Sequence, residues 1–61
     1  MKHYLFTFHD VRSGKFYTNY GTELGLFKYL RSNEYEVLIN QFPIDDLYEF
    51  EYRNPGYTKI D

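Results

Sequence analysis

The chain has 61 residues, too few for more than one domain and enough only for a small core. It has no Cys, which excludes disulfides and thiolate metal sites, and its net charge of −2 speaks against bulk electrostatic binding to nucleic acid. That net charge is a small difference between two unlike parts: residues 34–51 carry six acids and no base, while the other 43 residues carry seven bases and three acids. Eight Tyr and six Phe must supply the core that disulfides would otherwise support, and they are too many for all to be buried.

Residues 2–11 alternate, with Tyr4, Phe6 and Phe8 on one face and His3, Leu5, Thr7 and His9 on the other. The stretch Arg12-Ser13-Gly14-Lys15 offers a turn, and Phe16-Tyr17-Thr18-Asn19 returns as a second strand, so residues 2–19 read as a β-hairpin. Thr22 is a good N-cap, with Glu23 in the first turn and Leu26, Phe27 and Leu30 behind it. This predicts a helix over about 22–32, weakened by Gly25.

Asn33 and Glu36 form a capping-box pattern, and Tyr35, Leu38, Ile39 and Phe42 fall at the spacing of one helical face. The same stretch alternates as Tyr35, Val37, Ile39; helix is the preferred reading of 34–42, strand the alternative, and Pro43 ends either. Residues 47–52 read as a half-buried strand, Tyr48, Phe50 and Tyr52 opposite Leu47, Glu49 and Glu51. Pro55-Gly56 is placed for a type II turn, and Tyr57 to Ile60 is a short closing strand or a tail.

The expected fold is a small α+β domain over residues 1–61. An antiparallel sheet of three or four strands, in the order β-β-α-(α)-β-(β), is covered by one or two helices. Phe6, Phe8, Leu26, Phe27, Leu30, Ile39 and Phe50 are the expected core.

Nothing in the sequence reads as an enzyme. His3 and His9 are roughly 20 Å apart along an extended strand, too far to share a metal or act as a pair. The acids at 45–51 lack the alternation and glycine of a calcium loop, so Asp45 or Asp46 is better read as a turn cap. The Ser and Thr residues have no nucleophile-elbow setting, and the glycines form no phosphate cradle. No cofactor is expected. The segment from His3 to Phe8 is too short and interrupted for a signal peptide, and no apolar run approaches a membrane span, so the chain reads as soluble and cytoplasmic.

What remains is a surface. Glu34, Glu36, Asp45, Asp46, Glu49 and Glu51, with Tyr35, Tyr48 and Tyr52 interleaved, compose either a solvated face or an acidic docking surface. Carboxylates spaced along a small body imitate phosphates for a basic groove. A second reading is a binder of single-stranded nucleic acid through Lys2, Arg12, Lys15 and Tyr17. A third is a structural homo-oligomer, a homodimer in its simplest form, whose exposed edge strands pair.

Two stretches carry a family resemblance: Tyr4-Leu5-Phe6-Thr7-Phe8-His9-Asp10 with Gly14-Lys15-Phe16, and Phe42-Pro43-Ile44-Asp45-Asp46-Leu47-Tyr48. They resemble the small non-structural protein of gokushoviruses, single-stranded DNA phages, to which DNA binding is ascribed. That family opens with an aromatic strand ending in Asp and has a Pro-x-Asp step before its last strand. This chain is shorter, and its acidic block departs from a nucleic-acid binder. In size and composition it also looks like the small acidic accessory proteins of phages, anti-CRISPR and other host inhibitors among them. That resemblance implies a viral protein acting in the host cytoplasm on a basic surface of a host or phage protein, in the manner of a DNA mimic.

Overall fold

The computed structural model describes residues 1–60. Strands β1 (His3–Asp10) and β2 (Phe16–Gly21) form the expected hairpin, with Phe8 opposite Tyr17 and Leu5 opposite Tyr20. Its turn is built by Asp10, whose Oδ1 accepts the backbone N–H of Arg12 at 2.9 Å and of Ser13 at 3.1 Å. Gly14, at φ +78°, takes the left-handed conformation that the turn requires and that other residues avoid. Helix α1 (Glu23–Ser32) starts where expected: Thr22 Oγ1 accepts the N–H of Gly25 at 3.1 Å.

Residues 34–42 correct the preferred helix reading. They belong to strand β3 (Glu36–Ile44), antiparallel to β1 on its free side. Asn33 ends α1 rather than starting a helix, its Nδ2 donating to the Tyr29 carbonyl at 2.8 Å. Thr7 pairs with Asn40 but Phe8 pairs with Leu38, so Ile39 is the extra residue of a β-bulge. Leu38, paired with Phe8, and Phe42, paired with Leu5, face opposite sides of the sheet, so the helical stripe through Tyr35, Leu38, Ile39 and Phe42 is a coincidence of spacing and not a shared face. Pro43 continues the strand instead of ending it, as an edge position allows.

Residues 47–52 are corrected the other way, from strand to helix α2 (Leu47–Arg53). Asp46 is its N-cap, Oδ1 accepting the N–H of Glu49 at 3.1 Å. Leu47, Phe50, Glu51 and Asn54 turn inward at helical spacing, so Phe50 leaves the face it was expected to share with Tyr48 and Tyr52. Beyond α2, Tyr57 N–H donates to the Asn54 carbonyl at 3.2 Å, closing a turn in which Gly56 lacks the positive φ of type II. Strand β4 (Thr58–Lys59) then pairs with β2.

The result is an α+β fold: a four-stranded sheet in the order β3-β1-β2-β4, antiparallel except for the parallel β2–β4 pair. Cross-strand partners share a face. Phe6 and Phe8 are fully buried on one face, where Phe8 and Tyr29 of α1 approach to 4.7 Å between ring centroids. Tyr20 is buried on the other, edge-on to Phe50 of α2 at 5.1 Å. The helices therefore lie on opposite sides of the sheet. The expected core is corrected accordingly: Phe27 and Ile39 are exposed, and Leu26, Leu30 and Phe50 are only half-buried.

Candidate interaction surfaces

The acidic block does not form one surface. Strand β3 runs through it and separates its two groups by about 26 Å, eight residue steps of extended chain. Glu34, Tyr35 and Glu36 sit beside the hairpin turn. There the Arg12 guanidinium lies 4.3 Å from the centre of the Tyr35 ring, and Glu36 accepts the Tyr29 hydroxyl at 2.6 Å. Burial, and then the Glu36 carboxylate, hold the Tyr29 hydroxyl well above its ordinary range. Across the ladder from Glu36, Asp10 is held below the usual carboxylate range by the N–H groups of Ser13 and Arg12.

Asp45, Asp46, Tyr48, Glu49, Glu51 and Tyr52 lie at the far end, in and before α2. Three of these acids have internal duties. Asp46 caps the helix, Glu49 pairs with Arg53 at 2.9 Å, and Glu51 turns inward to accept the Tyr20 hydroxyl at 2.7 Å. That last bond raises the Tyr20 pKa. Glu49 and Glu51 thus part company, whereas Tyr48 and Tyr52 stay together at i, i+4 on the outer face of α2. They are 84% and 81% exposed.

The residues proposed for nucleic acid are also dispersed. Arg12 and Lys15 are at the hairpin tip, Lys2 is at the opposite end beside Ile44 and Asp45, and Tyr17 is on the α1 side of the sheet. A different aromatic pair lies on the α2 side: His9 and Phe16 stack at 4.5 Å and 20°, in a cross-strand row with Val37.

A further surface was missed in the sequence. The outer face of α1 carries Leu24, Phe27, Lys28 and Arg31, with Leu24 and Phe27 62% and 69% exposed. Its signal was the Thr22, Gly25, Tyr29 and Asn33 stripe, which is the face turned to the sheet and places Phe27 on the opposite side.

Among the described residues no group of His, Asp and Glu is gathered to hold a metal ion, and no helix is long and apolar enough to cross a membrane. The edges are blunted: β4 is two residues long, and β3 carries a bulge and a proline. No protein-family model, curated protein or solved structure matches the chain.

Proposed function

We propose that the protein is a non-catalytic binding module that docks the outer face of α2 on a basic surface of another protein. The observation that carries this reading is the pair Tyr48 and Tyr52, almost wholly exposed on one helical face with Asp45, Asp46 and Glu49 around them. Tyr is enriched among the anchors of contact surfaces, and two of its rings paired on one helical face beside charges have that composition. The acids steer the encounter, and the rings hold the complex once formed. A phage-type inhibitor of a nucleic-acid-handling protein is the concrete form of this reading, with α2 rather than the whole acidic block as its contact element. Glu34, Tyr35 and Glu36 are too distant to join the same small footprint.

The test uses a basic protein captured by wild type from a bacterial lysate. Tyr48→Ala and Tyr52→Ala should speed its dissociation by about 1–3 kcal/mol each. Asp45→Lys should slow its association at low salt, and the difference should shrink as salt rises. Tyr35→Ala should change neither rate. Unchanged rates in all the α2 variants would remove the reading.

The His9–Phe16 stack supports a second reading, a sheet platform for unpaired bases. It requires a mixed-sequence single strand to bind with a salt slope and to be lost in Phe16→Ala.

A further inference from the structure

The outer faces of the two helices are unlike, and they are complementary. On α1, Leu24 and Phe27 stand out beside Lys28 and Arg31. A groove of about 390 Å³ lined by Leu26, Phe27, Leu30 and Arg31 opens next to them. The one acid of this helix, Glu23, is turned towards β3, where it accepts from Gln41 Nε2 at 3.4 Å. The α1 face is therefore apolar and cationic. The α2 face offers two tyrosines with Asp45 and Asp46 at its start; the only cation of the helix itself, Arg53, is already paired with Glu49, and Lys2 lies beside Asp45 at the edge of the face.

We propose that a second copy of this chain is the occupant of the α1 face: the α2 face of one molecule seats on the α1 face of the next. The proposal rests on the reading of α2 as a contact surface and names a partner for it. Charge selects this pairing over the symmetric ones. Two α1 faces brought together oppose Lys28 and Arg31 to themselves, and two α2 faces oppose acid to acid. The unlike pairing puts cations against carboxylates and lets a tyrosine ring enter the groove beside Phe27.

Topology then sets the form of the assembly. The two helices lie on opposite faces of the sheet, so one pair of copies cannot make both contacts at once. The contact is heterologous, and it grows into chains of copies rather than closing as a two-fold dimer. It is also small. Helix α2 has seven residues and is ~10 Å long, which places the contact at the low end of interface sizes and makes it weak, reversible and concentration-dependent.

The test is sedimentation velocity over a concentration series at low salt, with two variants of exposed residues whose folds are checked by circular dichroism. Phe27→Asp disables the α1 face, and Tyr48→Ser with Tyr52→Ser disables the α2 face. Wild type should form species beyond a dimer that shrink as salt rises. Each variant alone should remain a monomer. Their equimolar mixture should form a dimer and nothing larger, because one good face of each kind remains. A monomeric wild type overturns the proposal, as does a variant that still associates alone or a mixture that stays monomeric. So does an acidic protein or a nucleic acid held by the α1 face of a monomeric wild type. The two readings fail separately: a monomeric wild type whose tyrosine variant still loses the basic lysate protein leaves α2 as a docking face for that protein only. A tyrosine variant that keeps that protein removes the docking reading whatever the state of assembly.

Discussion

Phe8 and Phe27 carry the same ring and have opposite environments. Phe8 is fully buried against Tyr29, and Phe27 is largely in solvent. Phe8→Ala should therefore cost about 3–5 kcal/mol, enough to unfold most molecules of a domain this small. Phe27→Ala should change stability by no more than about 0.5 kcal/mol, the range for surface positions. Urea denaturation of both separates them, and a Phe27 variant as damaged as the Phe8 variant would return that ring to the core. The hydroxyl of Tyr29 has a different signature. Its pKa is raised in the fold above the ordinary 10.0, so the native state favours the neutral phenol. The stabilisation is whole below pH 10 and drains as pH rises towards the folded value, because the unfolded chain gives up that proton first. Tyr20 acts in the same direction. Tyr29→Phe should flatten the alkaline loss of stability, and an equally steep loss in that variant would show that the buried Tyr29 hydroxyl does not contribute it.

At the scale of elements, local chemistry was legible where caps and alternation agreed. The hairpin, the Gly14 turn and the Thr22 cap follow from residues that admit few other uses. The segments 34–42 and 47–52 exchanged their expected states because each satisfied both periods over a short window. The helical stripe over 34–42 is a coincidence of spacing, since Leu38 and Phe42 face opposite sides of the sheet, and seven residues of α2 are too few to separate a period of 3.6 from one of two. The Tyr48 and Tyr52 pair survived the exchange because positions four apart share a face in either state; Glu49 and Glu51, two apart, do not. The α1 face was missed because Phe27 next to Leu26 was counted as core. The Asp45-Asp46 pair divides cleanly between structure and surface. Asp46→Ala removes the α2 cap and should cost about 1 kcal/mol, whereas Asp45→Ala should cost almost nothing. Equal effects in thermal unfolding would mean that the cap observed at Asp46 is shared with Asp45.

Across the whole molecule, the sheet divides the apolar interior into two thin layers of unequal quality. The α1 side contains both fully buried phenylalanines, and α1 itself buries Gly25. The α2 side relies on Tyr20 under Phe50, which in turn meets Tyr57, and no residue of α2 is fully buried. A short helix without a buried residue has little to lose by detaching, since isolated helices of this length are unstable in water. Local opening should thus follow the layers. Under native conditions, amides of α2 should exchange with solvent at a smaller opening free energy than amides of β1, which is bonded on both sides by β2 and β3. Opening of α2 would release the Glu51 carboxylate from Tyr20 and expose the Leu5 side of the sheet. A partner that seats on Tyr48 and Tyr52 should then raise the protection of α2 and leave β1 unchanged. Native-state hydrogen exchange measures both. If α2 amides prove as protected as those of β1 in the free protein, the two layers unfold as one, and the α2 face is held as rigidly as the hairpin beneath it.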